Sequence, residues 1–215
     1  MAHTMKVCEI FTSIQGESSY AGLPCTFVRL TGCNLRCSYC DTVYAYTDGS
    51  ELSIEEIAAA VKNAGISLVE ITGGEPLLQG EVHRLISRLI DDGCRMLLET
   101  NGSLSIKEVD PRVVVILDFK TPGSGMSGEM DFSNLDYVRH TDEIKFVLTG
   151  SDDYVWAKEI IRKNHLSARC HLLLSPAYGM LPPEDLAKWM LEDRLEARLN
   201  LQIHKYIFGP DRRGV

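Results

Sequence analysis

The sequence predicts an α/β fold in which about six parallel strands form an open or partial (β/α) barrel. Short β-branched runs alternate with longer segments of helical periodicity, and polar motifs follow several of the predicted strands. Strands that alternate with helices of this length form a parallel sheet. A chain of 215 residues with 45% hydrophobic residues can bury one substantial core. We therefore expect a single domain over residues 1–215.

The predicted elements follow each other in regular alternation. Strand candidates lie at residues 25–30, 68–72, 96–99, 113–118, 143–148 and 171–174, and helices at 53–64, 81–92, 152–164 and 183–197. The first helix begins with the capping box Ser53 to Glu56 and ends at Gly65, and the second ends at Gly93. Residues 200–203 are a candidate edge strand. Residues 1–5 are treated as a candidate cloning remnant and left out of the fold prediction.

Composition narrows the classes of partner. The net charge of −8 and the pI near 5.3 argue against nucleic acid as a partner, because phosphate binding draws on clustered Lys and Arg. No apolar run is long enough for a membrane span, and the first residues do not form a signal peptide. Four of the seven cysteines are scattered singly, which favours a reducing compartment. We expect a cytoplasmic protein with no membrane partner.

Three cysteines lie within eight residues, at Cys33, Cys37 and Cys40. Iron–sulfur clusters are normally held by four cysteines, and no second cysteine pair follows, so one iron is left without a protein ligand. The amine and carboxylate of S-adenosylmethionine (SAM) can chelate such an iron, and an electron from the cluster then cleaves the sulfonium to a 5′-deoxyadenosyl radical. The alternative is a structural zinc site completed by Cys25 or by a distant histidine.

Polar motifs follow four of the predicted strands. Active sites of parallel barrels are built at the carboxyl ends of the strands, so these motifs are expected to converge on one face. The four motifs are Thr72-Gly73-Gly74-Glu75-Pro76, Glu99-Thr100-Asn101-Gly102, Asp118-Phe119-Lys120 and Ser175-Pro176-Ala177-Tyr178.

The glycine turn and the residues near the cysteines predict a SAM site. Gly73 and Gly74 can let backbone approach a ligand, and Glu75 offers a carboxylate to the methionyl ammonium. Tyr39 is expected to stack on or hydrogen-bond to the adenine, and the loop after Lys120 carries hydroxyls suited to ribose. Without the cysteines, the Gly-Gly segment would be an ordinary turn, Tyr39 a surface aromatic and Lys120 a solvated lysine.

Further residues predict a magnesium ion and an anionic, heterocyclic substrate. Asp41 and Thr42 follow the last cysteine, and the Thr42 hydroxyl suits a hard Mg²⁺ that keeps most of its ligands as water or substrate oxygen. Arg29 is a charge inside a strand, where it fits a substrate carboxylate bidentately or else pairs with a protein acid. The loop Ser13-Ile14-Gln15-Gly16-Glu17 carries groups that can read the edge of a heterocycle.

Several of these stretches together carry a specific resemblance. They are residues 11–17, residues 27–35, Cys40-Asp41-Thr42, Gly73-Gly74-Glu75-Pro76, Glu99-Thr100-Asn101-Gly102, residues 202–205 and residues 209–215. Over nearly its whole length the chain resembles the family of 7-carboxy-7-deazaguanine synthases, which are radical SAM enzymes of the queuosine and 7-deazapurine pathway. The fold expected from this resemblance is an abbreviated radical SAM barrel.

The resemblance implies conversion of 6-carboxy-5,6,7,8-tetrahydropterin to 7-carboxy-7-deazaguanine with loss of ammonia. It implies a [4Fe–4S] cluster, SAM and Mg²⁺ as cofactors, flavodoxin or ferredoxin as electron donor, and a homodimer. It also implies that the C-terminal segment, residues 199–215, closes over the site. Within the enzymes the alternative is a glycyl-radical-enzyme activating protein, and outside them a non-catalytic electron-transfer or zinc-binding module.

The resemblance also implies a role for individual residues. Cys33, Cys37 and Cys40 would hold the cluster, and Thr42 the magnesium ion. The SAM site would comprise Tyr39, Cys40, Asp41, Gly73, Gly74, Glu75, Asp118, Phe119, Lys120, Ser175, Pro176, Ala177 and Tyr178. The pterin site would comprise Ile14, Gln15, Gly16, Glu17, Arg29, Thr72, His204 and Val215, with the pterin carboxylate on Arg29.

Overall fold

The computed structural model describes residues 3–215, which contain one nine-stranded sheet. Its order is β3-β1-β2-β4-β5-β6-β7-β8-β9, and from β2 onward the neighbours are parallel. The strands are β1 (Thr4–Ile14), β2 (Pro24–Leu30), β3 (Ser50–Ser53), β4 (Leu68–Gly73), β5 (Arg95–Thr100), β6 (Val114–Asp118), β7 (Glu143–Leu148), β8 (His171–Pro176) and β9 (Arg198–Leu199).

All six predicted strands are present, within one or two residues of the predicted bounds, as β2 and β4 to β8. They follow each other in chain order across the sheet, which is the order of a (β/α) barrel. Because β3 and β9 lie at the two ends of the sheet, the barrel is open. The predicted partial barrel is therefore confirmed.

Two strands were missed at the other edge. β1 pairs antiparallel with β2, and β3 pairs antiparallel with β1. Most of β1 is only half-buried, and β3 is the polar run Ser-Glu-Leu-Ser, so neither shows the alternation that identifies a strand. Thr4 and Met5, which the sequence analysis set aside, belong to β1, and the Met5 side chain is buried in the core.

The helices of the described chain are α1 (Ile54–Ala64), α2 (Val82–Asp91), α3 (Ser151–Lys163), α4 (Pro183–Asp193) and α5 (Ile203–Phe208). The predicted capping box is present, because Ser53 accepts from the Glu56 amide and the Glu56 carboxylate accepts from the Ser53 amide. Gly65 ends α1 in the left-handed conformation. None of these helices is long and apolar enough to cross a membrane.

The prediction was wrong near the C-terminus in two places. Helix α4 ends at Asp193 rather than residue 197, because Arg194 adopts a left-handed backbone with φ of 50°. Residues 200–203 are not a strand: the edge strand is β9 at residues 198–199, and α5 begins at Ile203. The Asn200 amide still donates to Leu174 O of β8 (2.8 Å), and its side chain donates to the Ser175 hydroxyl (2.7 Å), after which the chain leaves the sheet.

The pleat of the parallel strands separates two environments. One face packs against the helices in the main hydrophobic core, to which β4 contributes Val69 and Ile71. The opposite, inner face is apolar near the amino ends of the strands, where Phe27, Leu97 and Ile116 form a smaller cluster. Closer to the carboxyl ends this inner face carries the buried polar side chains Glu70, Thr72, Asp118 and Lys145. The interior of the open barrel is therefore charged at the end where the polar motifs lie.

Candidate active site

A cavity of about 490 Å³ occupies this charged interior. All but four of the predicted site residues line it. They are Ile14, Gln15, Gly16, Glu17, Arg29, Cys33, Cys37, Tyr39, Cys40, Asp41, Thr42, Thr72, Gly73, Gly74, Asp118, Lys120, Ala177, Tyr178, His204 and Val215. The structure thus brings together residues from the two ends of the chain and from the cysteine segment between them.

Glu75 is one of the four residues that do not reach the cavity. Its carboxylate is fully buried and accepts hydrogen bonds from the Leu77 amide (2.9 Å), the Thr100 hydroxyl (2.8 Å) and the Asn101 amide (2.7 Å). Burial raises the pKa of Glu75. The predicted contact with a methionyl ammonium is not supported, because the carboxylate is already committed to joining the glycine turn to the end of β5.

The other three lie beside the cavity rather than on its wall. The Phe119 side chain lies on the opposite face of the sheet from that of Asp118. It is fully buried in the core against Phe132, Phe146 and Trp156. Ser175 is buried and accepts from the Asn200 side chain at 2.7 Å. Pro176 lines a separate small groove. The predicted contacts of Phe119, Ser175 and Pro176 with SAM are therefore not supported, and Ala177 and Tyr178 are the members of that motif that face the cavity.

The cysteine loop forms one wall of the cavity. Cys33, Cys37 and Cys40 are half-buried free thiols. The Leu35 amide (3.4 Å) and the Asn101 side-chain amide (3.8 Å) point to the Cys33 sulfur. Three unpaired cysteines with N–H donors at a sulfur fit an iron–sulfur cluster.

Cys25 does not complete a zinc site with the three cysteines. Cys25, its proposed fourth ligand, is fully buried in the apolar cluster at the other end of the barrel, beside Phe27 and Leu68.

The glycine turn fixes the cysteine loop. The Gly74 amide donates to Leu30 O (3.1 Å), and the Glu75 amide donates to Gly32 O (2.7 Å). A Cβ on Gly74 would lie 2.1 Å from Gly32 O, and Gly73 has φ of 152°. Only glycine allows this approach. The turn therefore has a structural role as well as a place on the cavity wall.

Two buried polar atoms beside this wall have no hydrogen-bond partner in the described chain, the Tyr39 hydroxyl and Asp118 Oδ1. The other carboxylate oxygen of Asp118 lies 2.9 Å from Lys120 Nζ. Burial would raise the pKa of Asp118, but Lys120 and Lys145 outweigh it and the pKa is lowered. Burial raises the pKa of Tyr39. A neutral hydroxyl and an ionised carboxylate in need of partners fit a ligand that carries hydroxyl groups.

The side-chain oxygens of Thr42 and Asp41 differ in how strongly they interact with other protein groups. Thr42 Oγ1 lies 3.9 Å from the Cys40 sulfur and makes no cap hydrogen bond to the turn that follows. The Asp41 carboxylate pairs with Lys205 Nζ at 2.6 Å. Burial would raise the pKa of Asp41, but Lys205 outweighs it and the pKa is lowered. The Thr42 hydroxyl is the freer oxygen of the two.

The opposite wall is formed by β1, β2 and the loop between them. Arg29 Nε donates to Glu9 at 2.7 Å, and its guanidinium lies 5.7 Å from the centre of the Phe11 ring. The predicted pairing of Arg29 with a protein acid is therefore present through Nε, while the residue also lines the cavity. The Gln15 side-chain N–H donates to the Glu70 carboxylate, and its side-chain oxygen accepts from the Glu17 backbone amide. These two hydrogen bonds fix the orientation of the Gln15 side chain.

The C-terminal segment lies against this wall. The Ile203 amide donates to Gly16 O (2.9 Å), and the Gln202 side chain donates to Glu17 (2.8 Å). The His204 ring lies over Gly16, where a Cβ would be 1.9 Å from Nδ1. Burial lowers the pKa of His204. The last residue, Val215, also reaches the cavity.

Several charged residues of the cavity were given no site role from the sequence. Glu70 and Lys145 lie inside apolar strands, Glu99 precedes the last residue of β5, and Lys205 lies on α5. The pKa of Glu70 is raised well above its usual value by burial and by the neighbouring Glu99. The signal was available, because Glu70 and Lys145 are charges within strands, as Arg29 is.

Comparison with known proteins agrees with this geometry. Residues 27–116 match the model of the radical SAM superfamily. The fold and the cysteine-walled cavity thus define a radical SAM protein.

The relatives are more specific. The chain is 46% identical to a 7-carboxy-7-deazaguanine synthase of Chlorobaculum tepidum, over 98% of this chain and 97% of the relative. A second, of Koribacter versatilis, is 45% identical over 98% of this chain and all of the relative. This chain belongs to the 7-carboxy-7-deazaguanine synthase family. The crystal structure of QueE from Escherichia coli has the same fold, with a TM-score of 0.73 and 22% identity over 92% of this chain and 93% of that one.

Proposed function

We propose that this chain is a ring-contracting radical SAM enzyme that converts 6-carboxy-5,6,7,8-tetrahydropterin to 7-carboxy-7-deazaguanine and ammonia. The observation that carries this is a single cavity with the three cysteines on one wall and Gln15, Arg29 and His204 opposite. Family membership rests on relatives that match nearly the whole chain. The same relatives do not favour the activating-protein alternative.

The cysteine side of the cavity fits the two cofactors of the family. When bound, the [4Fe–4S] cluster and SAM supply a carbon radical that abstracts a hydrogen atom from the substrate. Cys33, Cys37 and Cys40 hold the cluster. Tyr39 and Asp118 receive hydroxyl or amine groups of SAM with their unpartnered atoms. Gly73 and Gly74 line the cavity where SAM would bind, and they let the turn pack against the cysteine loop.

The opposite side orients the pterin. Arg29 donates to Glu9 through Nε, so its two Nη groups are the donors for a bidentate pair with the substrate carboxylate. Gln15 accepts from the Glu17 amide and donates to Glu70, so its remaining N–H faces a heterocycle acceptor. Ile14, Gly16, Glu17, Thr72, His204 and Val215 complete this side. Holding substrate and SAM in one cavity lowers the entropic part of the barrier.

A magnesium ion at Thr42 extends this arrangement. Thr42 offers a neutral oxygen beside the cluster, and Asp41 is neutralised by Lys205 and so does not compete for the ion. The metal would orient substrate oxygens and stabilise negative charge during rearrangement.

The remaining parts of the proposal concern the chain as a whole. Residues 1–215 act as one domain, and residues 199–215 close over the substrate, which the contacts of Gln202, His204 and Lys205 support. Flavodoxin or ferredoxin reduces the cluster, and two chains form a homodimer. The seven free cysteines suit a reducing cytoplasm.

One anaerobic assay tests the reaction. The purified, reconstituted protein is incubated with the carboxypterin, SAM, Mg²⁺ and dithionite, and both 7-carboxy-7-deazaguanine and 5′-deoxyadenosine are quantified. Product formed together with 5′-deoxyadenosine supports the proposal. SAM cleavage without any product in the presence of the pterin would contradict it, and a preparation that neither contains iron nor cleaves SAM would favour a non-catalytic module.

A further inference from the structure

Lys145 is a buried charge on the wall of the cavity. Its side chain is 4% exposed, and its ammonium contacts three carboxylates: Glu17 at 2.8 Å, Asp118 at 3.3 Å, and Glu99 within hydrogen-bond distance. Lys145 lies opposite Asp118 in the register of β6 and β7, so the sheet fixes this contact. A cation this deep in the protein is retained only when its charge is compensated.

The carboxylates around Lys145 come from both sides of the cavity. Glu17 lies in the loop after β1, where it also accepts from Gln202 of the C-terminal segment. Asp118 ends β6 on the side of Tyr39, and it also pairs with Lys120. Alternating charges therefore run from Glu17 through Lys145 and Asp118 to Lys120. This run connects the pterin side to the SAM side.

The charges in this run support one another. Burial opposes ionisation at each member, yet Lys145 outweighs it at Glu17 and the pKa of Glu17 is lowered. Burial would also lower the pKa of Lys145, but Asp118, Glu17 and Glu99 raise it well above its usual value. Removing the ammonium would leave the carboxylates of Glu17 and Asp118 without a compensating charge between them, so they would repel each other.

We propose that Lys145 is a positioning residue that couples the substrate side of the cavity to the SAM side by holding Glu17 and Asp118 in one fixed arrangement. The inference deepens the proposed function and rests on it. Lys145 acts through these two carboxylates. Its loss is expected to separate SAM cleavage from product formation, because the two ligands are then no longer aligned by a shared group.

The test compares Lys145→Met with wild type in the anaerobic assay. The measured quantities are the ratio of 5′-deoxyadenosine to 7-carboxy-7-deazaguanine and the KM values for both substrates. We expect the ratio to rise by about tenfold or more and both KM values to increase, with iron content unchanged. Lys145→Arg, which keeps the charge, should recover part of the coupling. Lys158→Met, which removes a lysine paired with Asp193 outside the cavity, should behave as wild type.

Two results would overturn the inference. One is a folded Lys145→Met protein whose ratio and KM values stay within about twofold of wild type. The other comes from a double-mutant cycle, which applies even if Lys145→Met does not fold. The changes Glu17→Gln and Asp118→Asn should affect the ratio non-additively if Lys145 joins the two groups, and strict additivity contradicts that. A wild-type enzyme that forms no product at all would instead contradict the proposed function itself.

Discussion

At the scale of single residues, the site is defined by which polar atoms the protein leaves without partners. Glu75 is saturated by three hydrogen bonds, whereas Tyr39 and Asp118 each keep a buried atom free. Residue type alone favoured Glu75 as the ligand of an ammonium group. Its hydrogen bonds instead assign it to holding the turn, because a carboxylate that already accepts from three donors has little capacity left.

Arg29 gives the first prediction at this scale. Arg29→Ala removes charge-assisted hydrogen bonds, each worth about 1.5–3 kcal/mol, so KM for the carboxypterin should rise roughly tenfold to hundredfold. Dithionite-driven SAM cleavage should be retained, because the cysteine wall is untouched. Arg95→Ala, at an exposed arginine beside Tyr20, is the matched control. An unchanged KM in Arg29→Ala would refute the assignment of the carboxylate.

Thr42 gives the second prediction. Thr42→Ala should raise the Mg²⁺ concentration for half-maximal activity by about tenfold or more, because a metal ligand is lost, and iron content should stay the same. A magnesium titration of steady-state rates measures this, and Thr47→Ala, at a nearby exposed threonine, serves as control. A magnesium response identical to wild type would show that the metal lies elsewhere.

At the scale of elements, the site depends on contacts between consecutive strand ends. The turn after β4 donates to the chain that leaves β2, and Glu75 accepts from the end of β5. Three neighbouring strands are thus tied together beneath the cysteine loop. A parallel sheet brings the carboxyl ends of these strands to one edge, and hydrogen bonds between the loops that follow them then fix the positions of those loops relative to one another.

A substitution at Gly74 tests whether the turn after β4 holds the cysteine loop in place. Gly74→Ala places a Cβ 2.1 Å from Gly32 O, so the loop that carries Cys33 must move. We expect activity to fall roughly hundredfold, with less iron bound per chain, since a displacement of about 1 Å costs that much in a preorganised site. Iron and sulfide analysis and turnover rates measure the two effects. Gly80→Ala is the matched control, because its Cβ meets nothing within 4 Å.

At the scale of the whole molecule, segments far apart in sequence complete the cavity of an open barrel. The loop after β1 reaches across to β7, where Ser19 donates to Glu143 (3.1 Å) and Glu17 pairs with Lys145. The C-terminal segment then attaches to this loop and to Asp41 of the cysteine segment. This wall of the cavity is therefore built from both ends of the chain.

Lys205 tests the attachment of the C-terminal segment. It pairs with Asp41 and donates to Gln202, so Lys205→Ala loosens two segments at once. Asp41 is partly exposed, and such pairs contribute at most about 1 kcal/mol, so KM for the pterin should rise only by about fivefold. Steady-state kinetics measures this, with Lys188→Ala at a surface pair as control. A fall in KM would contradict a closing role for the segment.

The sequence by itself determined the six parallel strands, the capped helix α1 and the spacing of the three cysteines that line the cavity, because each depends on local periodicity, local capping or short spacing. Arg29 was also identified from the sequence, because it is a charge inside a strand, and so were the polar and glycine motifs that follow the strands. Tertiary structure decided the rest. It added β1 and β3, which are strands because they pair with their neighbours and not because of their own sequence pattern. It turned Glu75 inward, and it placed Lys145 among three carboxylates, since charges distant in sequence become neighbours only when the sheet and both chain ends enclose one cavity.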